Sequence, residues 1–385
     1  MTAYAIGKFD ALHRGHFALV EQAHKLGSPC LLGFSGMAEE LAWPQRQPLV
    51  APADRNRVLT SWSLGFDDKV REVALPFAAI RNMSPGDFID HLRTNHGATA
   101  LVVGEDFRFG RDRGGDAAAL RTLAASHGMQ SAVVEPVLLA DEPVSSSRVR
   151  DALAAGDVAL AGILLRRPHR LLGSVVRGDG RGRKIGIPTA NLGRCANQEP
   201  ASGVYAAWAT LDGQRLPAAV NIGHVPTVGG DRPLTVEAHL IGWRGDCYGR
   251  ELGLDLIVRL RGEHRFATLD ALVAQIQADI ATVSGLLTPV QDRVSNFLLE
   301  ILYASMATPE KLRSYARSEA AGDAELPRLL SDSRMNDEVA HFVAQGLVHH
   351  TKEHGPDVLV ITNRGIELLN RERASRESPL LSPEH

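Results

Sequence analysis

The chain has 385 residues, 44% of them hydrophobic, with 42 Lys and Arg against 45 Asp and Glu, a net charge of −3 and three cysteines. That length suggests two or three domains with real cores, and the near-neutral charge argues against broad, non-specific nucleic-acid binding while leaving local basic patches open. Cys30, Cys195 and Cys247 show no CxxC spacing, which speaks against a disulfide framework or zinc cluster and suits a reducing cytoplasm; the sequence offers neither a signal peptide nor an apolar run long enough for a membrane span.

The first 165 residues alternate strand and helix patterns. Strands are predicted at Ala3 to Ile6, Cys30 to Phe34, Val70 to Leu75, Ala100 to Val103 and Gln130 to Val137. Helices are predicted at His16 to Leu26, Ser84 to Asn95 (with Ser84 as cap and Pro85 in the first turn), Asp116 to Ser126 and Ser145 to Leu153. This alternation implies an α/β, Rossmann-like parallel sheet covered on both faces. GKFDALHRGHFALV places His13 and His16 at a helix start directly after the first strand, where free N–H groups and a partial positive charge collect. Two imidazoles there suit the α- and β-phosphates of a nucleotide; a pair of surface histidines or a metal pair are the competing readings. GEDFRFGRDRGGD follows a later strand and offers Phe107 and Phe109 as apolar faces and Asp106 and Asp116 as carboxylates. VSSSRVR brings Ser145, Ser146 and Arg148 to another helix start, suited to an anion.

From residue 166 to 285 the pattern changes to short strands and turns: RLLGSVV, VYAAWATL, RLPAAVNIG, LTVEAHLIGW and LGLDLIVRL, punctuated by Asp212-Gly213 and Gly229-Gly230. A small, antiparallel closed barrel is the expected fold. Thr268 caps a helix with Leu269, Leu272, Val273, Ile276 and Ile280 on one face, plugging or flanking that barrel. RLLGSVVRGDGRGRKIGIPTANL is the most informative stretch. Gly178, Gly180 and Gly182 let backbone amides approach a phosphate, Arg177, Arg181, Arg183 and Lys184 supply charge, and Thr189 and Asn191 place oxygen ligands beside it that suit magnesium. A basic, glycine-rich hairpin turn is the alternative. Glu237, in VEAHL, reads on its own as an outward-facing strand carboxylate.

Beyond a boundary at Gly285 to Pro289 the chain is mostly helical, with helices at Val290 to Tyr303, from Thr308-Pro309-Glu310, and at Asn336 to Gln345. A strand pair around HGPD and a helix from Asn363 follow. This reads as a winged-helix-like domain at 286–373 with a disordered tail at 374–385. Its 11 Lys and Arg against 15 Asp and Glu, counted from Gly285, favour a protein partner over DNA.

GKFDALHRGH, GEDFRFGRDRGGD, VSSSRVRDAL, GDGRGRKIGIPTANL, VNIGHVPTVGG, EAHLIGW and GDCYGREL occur in the order found in the bacterial bifunctional riboflavin kinase/FAD synthetase (FMN adenylyltransferase) family, which residues 1 to 285 resemble. The resemblance implies an HxGH nucleotidyltransferase domain at 1–165 and a riboflavin kinase barrel at 166–285. Riboflavin, FMN and ATP are the implied substrates, with magnesium as cofactor. Glu237 matches the base that accepts the ribityl hydroxyl proton, Thr189 and Asn191 the metal and phosphate ligands, and Gly178 to Lys184 the cover over the nucleotide phosphates. His13 and His16 match the residues that stabilise adenylyl transfer, Ser145, Ser146 and Arg148 the closing phosphate motif, and Asp106, Phe107, Phe109 and Asp116 the flavin side. Four departures stand out: Ala11 where the family usually has glycine, Lys8 where a small or amide residue is usual, GFSGMAEEL in place of PHP, and LLRRPH in place of the linker LLGRPY. Ala11 would crowd the turn if that turn needs positive φ. A kinase with a degenerate adenylyltransferase half, and a flavin-responsive DNA-binding regulator, are the rival readings.

Overall fold

A computed structural model of the chain describes residues 1–63, 66, 68–178, 180–223, 234–287, 312, 316, 335, 339, 348–351 and 358–361. The chain divides into two compact units, Met1–Val149 and Arg150–His385. In the first, β1 (Thr2–Ile6), α1 (Arg14–His24), β2 (Ser28–Ser35), α2 (Met37–Glu40), α3 (Arg55–Ser63), β3 (Arg71–Pro76), α4 (Phe77–Ile80), α5 (Pro85–His96), β4 (Ala98–Gly104), α6 (Ala117–Ser126), β5 (Gln130–Val134), β6 (Leu138–Leu139) and β7 (Glu142–Pro143) follow in order. Strands β3-β2-β1-β4-β5 form one five-stranded parallel sheet, and β6-β7 a separate two-stranded ribbon.

The three inner strands β2, β1 and β4 are buried over most of their length because both faces carry cover, whereas the edge strands β3 and β5 are only partly buried. Phe17, Leu19, Val20, Val58 and Trp62 pack on one side, and Phe88, Ile89, Leu92 and Leu120 on the other. The strand order reverses direction between β1 and β4, and the crevice at that switch point is where open α/β sheets hold ligands. The loops after β1 and β4 are the two that carry the HxGH and GEDFRFG segments. Sequence reading passes over α2, α3, α4 and the short ribbon, and runs the fifth strand past Val134 to Val137.

α7 (Ser146–Ala155) crosses the division between the units, and α8 (Val158–Leu165) packs against the barrel strands β8 (His169–Val176) and β13 (Glu251–Arg261). The expected first domain ends at residue 165, yet the chain is tied into the second unit well before that. Ala201 N–H donates to the Leu153 carbonyl at 2.9 Å, and the Arg259 guanidinium donates to the Ala155 carbonyl at 3.4 Å.

The second unit is built on a closed six-stranded barrel, β10-β11-β12-β9-β8-β13. Its remaining elements are α9 (Arg181–Lys184), β9 (Ala190–Leu192), β10 (Gly203–Leu211), β11 (Gln214–Gly223), β12 (Thr235–Leu240) and α10 (Leu269–Leu286), and every neighbouring strand pair is antiparallel. The two-residue link Asp212-Gly213 has positive φ at both positions, 49° and 79°, which is what a tight hairpin matching strand twist requires. α10 flanks the barrel rather than plugging it. Thr268 caps it, and Val283 and Leu287 pack on Ala206, Trp208 and Ile257. Leu269 is 60% exposed, so it lies outside the buried stripe that the sequence pattern assigns to it. Asp279 takes a buried place on that face because Arg261 meets it at 2.7 Å and Gln275 donates to it at 2.9 Å.

Beyond Leu287, residues 312, 316, 335 and 339 are helical, and β14 (Val348–Thr351) pairs antiparallel with β15 (Val358–Ile361), where the sequence places a strand pair. The helices expected at Val290 to Tyr303 and from Asn363, the start at Thr308-Pro309-Glu310, the Gly229-Gly230 turn, most of the Asn336 to Gln345 helix and the tail lie outside the described residues. None of the helices among the described residues is long and apolar enough to cross a membrane.

His169, 1% exposed at the start of β8, hydrogen-bonds through Nε2 to the Gln198 carbonyl at 2.7 Å. Burial pushes its pKa down from 6.5 to about 4. The folded ring is therefore neutral where the unfolded ring already takes a proton, and stability falls as pH drops from 6.5 to about 4, by up to roughly 3 kcal/mol. Urea midpoints across that window should show this loss, and His169→Gln should remove its share of it.

Candidate functional site

In the first unit the site grows from the end of β1. Phe9 and Leu12 are fully buried and hold φ near 48°, a left-handed conformation that costs bulky residues about 1–3 kcal/mol each. Ala11 lies between them, buried, and is not among the residues of positive φ. The strain expected at Ala11 therefore falls on its neighbours, and the glycine-to-alanine departure carries no conformational penalty.

His13 is the N-cap of α1. Its Nδ1 accepts the His16 N–H at 3.3 Å, and the His16 Nδ1 accepts the His13 N–H at 3.3 Å. The rings stack with centroids 3.6 Å apart. A neutral imidazole that accepts at Nδ1 carries its hydrogen at Nε2, so both rings are set as Nε2–H donors at a helix N-terminus. A Cβ on Gly15 would sit 3.1 Å from the His13 ring and 3.6 Å from the Val144 carbonyl oxygen. The absent side chain thus brings the backbone just ahead of α7 close to the start of α1.

The loop after β4 separates its expected ligand residues. Phe109 is buried against Phe88 and exchanges two backbone hydrogen bonds with Gly115. Phe107 is half-buried and stacks on it at 5.7 Å, and Asp106 is exposed. Asp116 caps α6 through Ala119 N–H at 2.9 Å and meets Arg108 at 3.1 Å; the backbone hydrogen bond above all holds its pKa below the usual carboxylate range. Ser145 caps α7 by accepting the Arg148 N–H at 3.2 Å. The Arg148 guanidinium donates to the Leu139 and Glu142 carbonyls at 2.8 and 2.9 Å and pairs with the Glu142 carboxylate at 3.1 Å. It braces the β6-β7 ribbon ahead of Ser145 and Ser146. The residues between β2 and α3 were missed from sequence. Lys8 Nζ lies 4.3 Å from the centre of the half-exposed Trp43 ring, the Leu49 N–H donates to Asp10 at 3.1 Å, and Arg55 donates to the Phe9 carbonyl at 3.0 Å. Partial desolvation, and secondarily Arg113, lower the Lys8 pKa.

In the barrel unit, β8 leads into the glycine-rich loop, the single turn α9 and the segment Ile187-Pro188-Thr189 before β9. Gly178 and Gly182 are there for close approach. A Cβ at 178 would lie 2.6 Å from the Asn191 side chain, and one at 182 would lie 2.3 Å from the Ile187 carbonyl and 3.5 Å from Thr189 Oγ1. Gly180 meets nothing but holds φ at 67°. Arg181, Arg183 and Lys184 are exposed along α9, and Arg177 lies over Tyr248 at 5.6 Å. Asn191 on β9 is the register partner of Glu237 on β12, and the Thr189 hydroxyl donates to Glu237 Oε2 at 3.3 Å. The glycine loop, Thr189, Asn191 and the Glu237 carboxylate therefore form one cluster. Two hydroxyl or amide oxygens beside a carboxylate are a donor set that suits a hard divalent cation such as magnesium.

A family model described as riboflavin kinase matches residues 165–287, and one described as FAD synthetase matches residues 1–148. The bifunctional riboflavin kinase/FMN adenylyltransferase of Pseudomonas fluorescens is 38% identical over 295 residues, 75% of this chain and 94% of that protein. The chain belongs to this family. The corresponding protein of Escherichia coli (strain K12) is 37% identical over 287 residues, 72% of this chain and 90% of its own. A crystal structure described as a macrolide-efflux protein from Streptococcus pneumoniae superposes with a TM-score of 0.65 at 27% identity, over 73% of this chain and 93% of that one. Residues past 287 lie outside both matched spans.

His13→Ala should cost about 1 kcal/mol of stability through loss of the α1 cap, whereas His13→Asn, a good cap residue, should keep most of it; urea denaturation measures both.

Proposed function

We propose that each unit carries one step of flavin synthesis: the barrel phosphorylates riboflavin to FMN, and the α/β unit joins FMN to the adenylyl group of a second ATP to give FAD and pyrophosphate. The observation that carries this reading is the Thr189–Glu237 contact beneath the glycine loop. Glu237 would accept the proton of the ribityl 5′-hydroxyl as its oxygen bonds to the γ-phosphorus, and the bond from that phosphorus to the bridging oxygen of ADP would break. Gly178, Gly180, Arg181, Gly182, Arg183 and Lys184 would cover and neutralise the triphosphate. Thr189 and Asn191 would hold magnesium, which supplies charge neutralisation on the phosphates when bound.

In the α/β unit a phosphate oxygen of FMN would attack the α-phosphorus of ATP. The Nε2–H donors of His13 and His16, with the helix N-terminus behind them, would stabilise the charge that builds there. Ser145 and Ser146 would bind phosphate at the start of α7, with Arg148 bracing them. Phe107 and Asp106 would face the flavin, with Phe109 and Asp116 supporting that loop from beneath. Three free thiols suit work in a reducing cytoplasm. The adenylyltransferase reading is preferred to a kinase-only one because Ala11 fits its turn without strain. We assign residues past 287 to a winged-helix-like protein-binding domain. The β14–β15 pair falls where a wing is expected, and the acidic balance disfavours DNA.

Glu237→Gln should lower FMN formation by about 100-fold or more while sparing FAD formation from added FMN, and His13→Asn should do the reverse. Chromatography of products from riboflavin, ATP and magnesium separates the outcomes. Loss of both reactions in a folded variant would refute the two-site assignment.

A further inference from the structure

β12 alternates strictly: Val236, Ala238 and Leu240 are buried, while Thr235, Glu237 and His239 share the other, half-buried face. His239 therefore stands on the same face as Glu237, two residues on. Its Nδ1 lies 2.8 Å from the carbonyl oxygen of Pro188, the residue before Thr189. A carbonyl oxygen can only accept, so Nδ1 carries the hydrogen and donates it.

Pro188 has no N–H, so its carbonyl is the one backbone hydrogen-bonding group that this residue offers, and that carbonyl belongs to the 188–189 peptide. That peptide is planar, so fixing the carbonyl fixes the Thr189 nitrogen and restricts where the Thr189 Cα and Cβ can lie. Threonine is branched at Cβ and has few rotamers, so its hydroxyl then has little freedom. From the other side the Ile187 N–H donates to the Gly182 carbonyl at 2.8 Å. The three residues before β9 are thus pinned to the glycine loop at Ile187 and to β12 at Pro188, and the product of both is the Thr189 hydroxyl 3.3 Å from the Glu237 carboxylate.

We infer that His239 is a positioning residue for riboflavin phosphorylation, holding the Pro188–Thr189 peptide plane so that the Thr189 hydroxyl stays against Glu237. The inference rests on the kinase reading of the barrel and adds a residue that need not touch either substrate. Its role depends on where one N–H sits, and this separates it from bulk packing. Asparagine offers an N–H at the position of Nδ1, glutamine at the position of Nε2, and alanine offers none. All three replacements fall on the half-buried face, and the urea midpoint of the same full-length chain reports on the integrity of the barrel.

His239→Ala should lower kcat for riboflavin phosphorylation about tenfold or more with KM for riboflavin changed less than about twofold. His239→Asn should recover to within about threefold of the parent, and His239→Gln should stay with alanine. The long-range ¹H–¹⁵N spectrum of the unsubstituted chain should show the His239 ring in its Nδ1–H form. An alanine variant within twofold of the parent, equal rescue by asparagine and glutamine, or an Nε2–H ring would overturn the inference. Glu237→Gln run alongside separates the levels: if it keeps phosphorylation, the site assignment itself fails, whereas if it loses phosphorylation while the Asn/Gln contrast is absent, only the role of His239 falls.

Discussion

The pairing of β9 with β12 is the constraint on which the barrel site depends. β9 is only three residues long, and it sets Asn191 opposite Glu237, with Thr189 just ahead of it. Side chains alternate faces along a strand, so a slip of one residue would turn Glu237 among buried apolar groups and put Val236 on the half-buried face that Glu237 now holds. The glycine loop enforces the register from above. A side chain at Gly182 would run into the Ile187 backbone, and one at Gly178 would have to displace the Asn191 side chain.

The first unit solves a related problem with different means. Two histidines satisfy the orphan N–H groups of α1 with their Nδ1 atoms, and this spends one nitrogen of each ring on the fold while defining the other as a donor. The strain at Phe9 and Leu12 is held in place by their complete burial, consistent with a loop whose shape is imposed by the core beneath it rather than chosen locally. Arg148 and Asp116 show the same economy: each has ring-closing or capping duties that fix the loop presenting its neighbours.

Much of this was legible in sequence because the signals were local. Strands with period-two burial, Ser84 with Pro85, Asp116 and Thr268 as caps, and Asp212-Gly213 as a turn all rest on interactions within a few residues. α8 escaped notice for a physical reason: VALAGILL is apolar on every side, so it shows no helical stripe. The two-residue strands of the β6-β7 ribbon are too short to carry any period, and Arg148 gives no hint in VSSSRVR that it reaches back to Leu139. Leu269 joined a helical stripe on paper, but the first position after a cap lies beyond the end of the barrel surface that the helix covers. His239 was readable in principle, since EAH puts it on the face of Glu237, but its partner 51 residues away was not. Trp43 sits in a segment without family motifs, and only folding reveals Lys8 beneath its ring.

The seam between α10 and the barrel sets a minimum for any shortened version of the chain. Leu287, the residue that ends the helix, is 3% exposed and belongs to the same apolar cluster as Trp208. A stop placed at the final barrel strand would uncover that cluster and leave Arg261 without its carboxylate. A stop placed just after Leu287 would keep both, so the catalytic half of this protein is self-contained only when its last helix is carried whole.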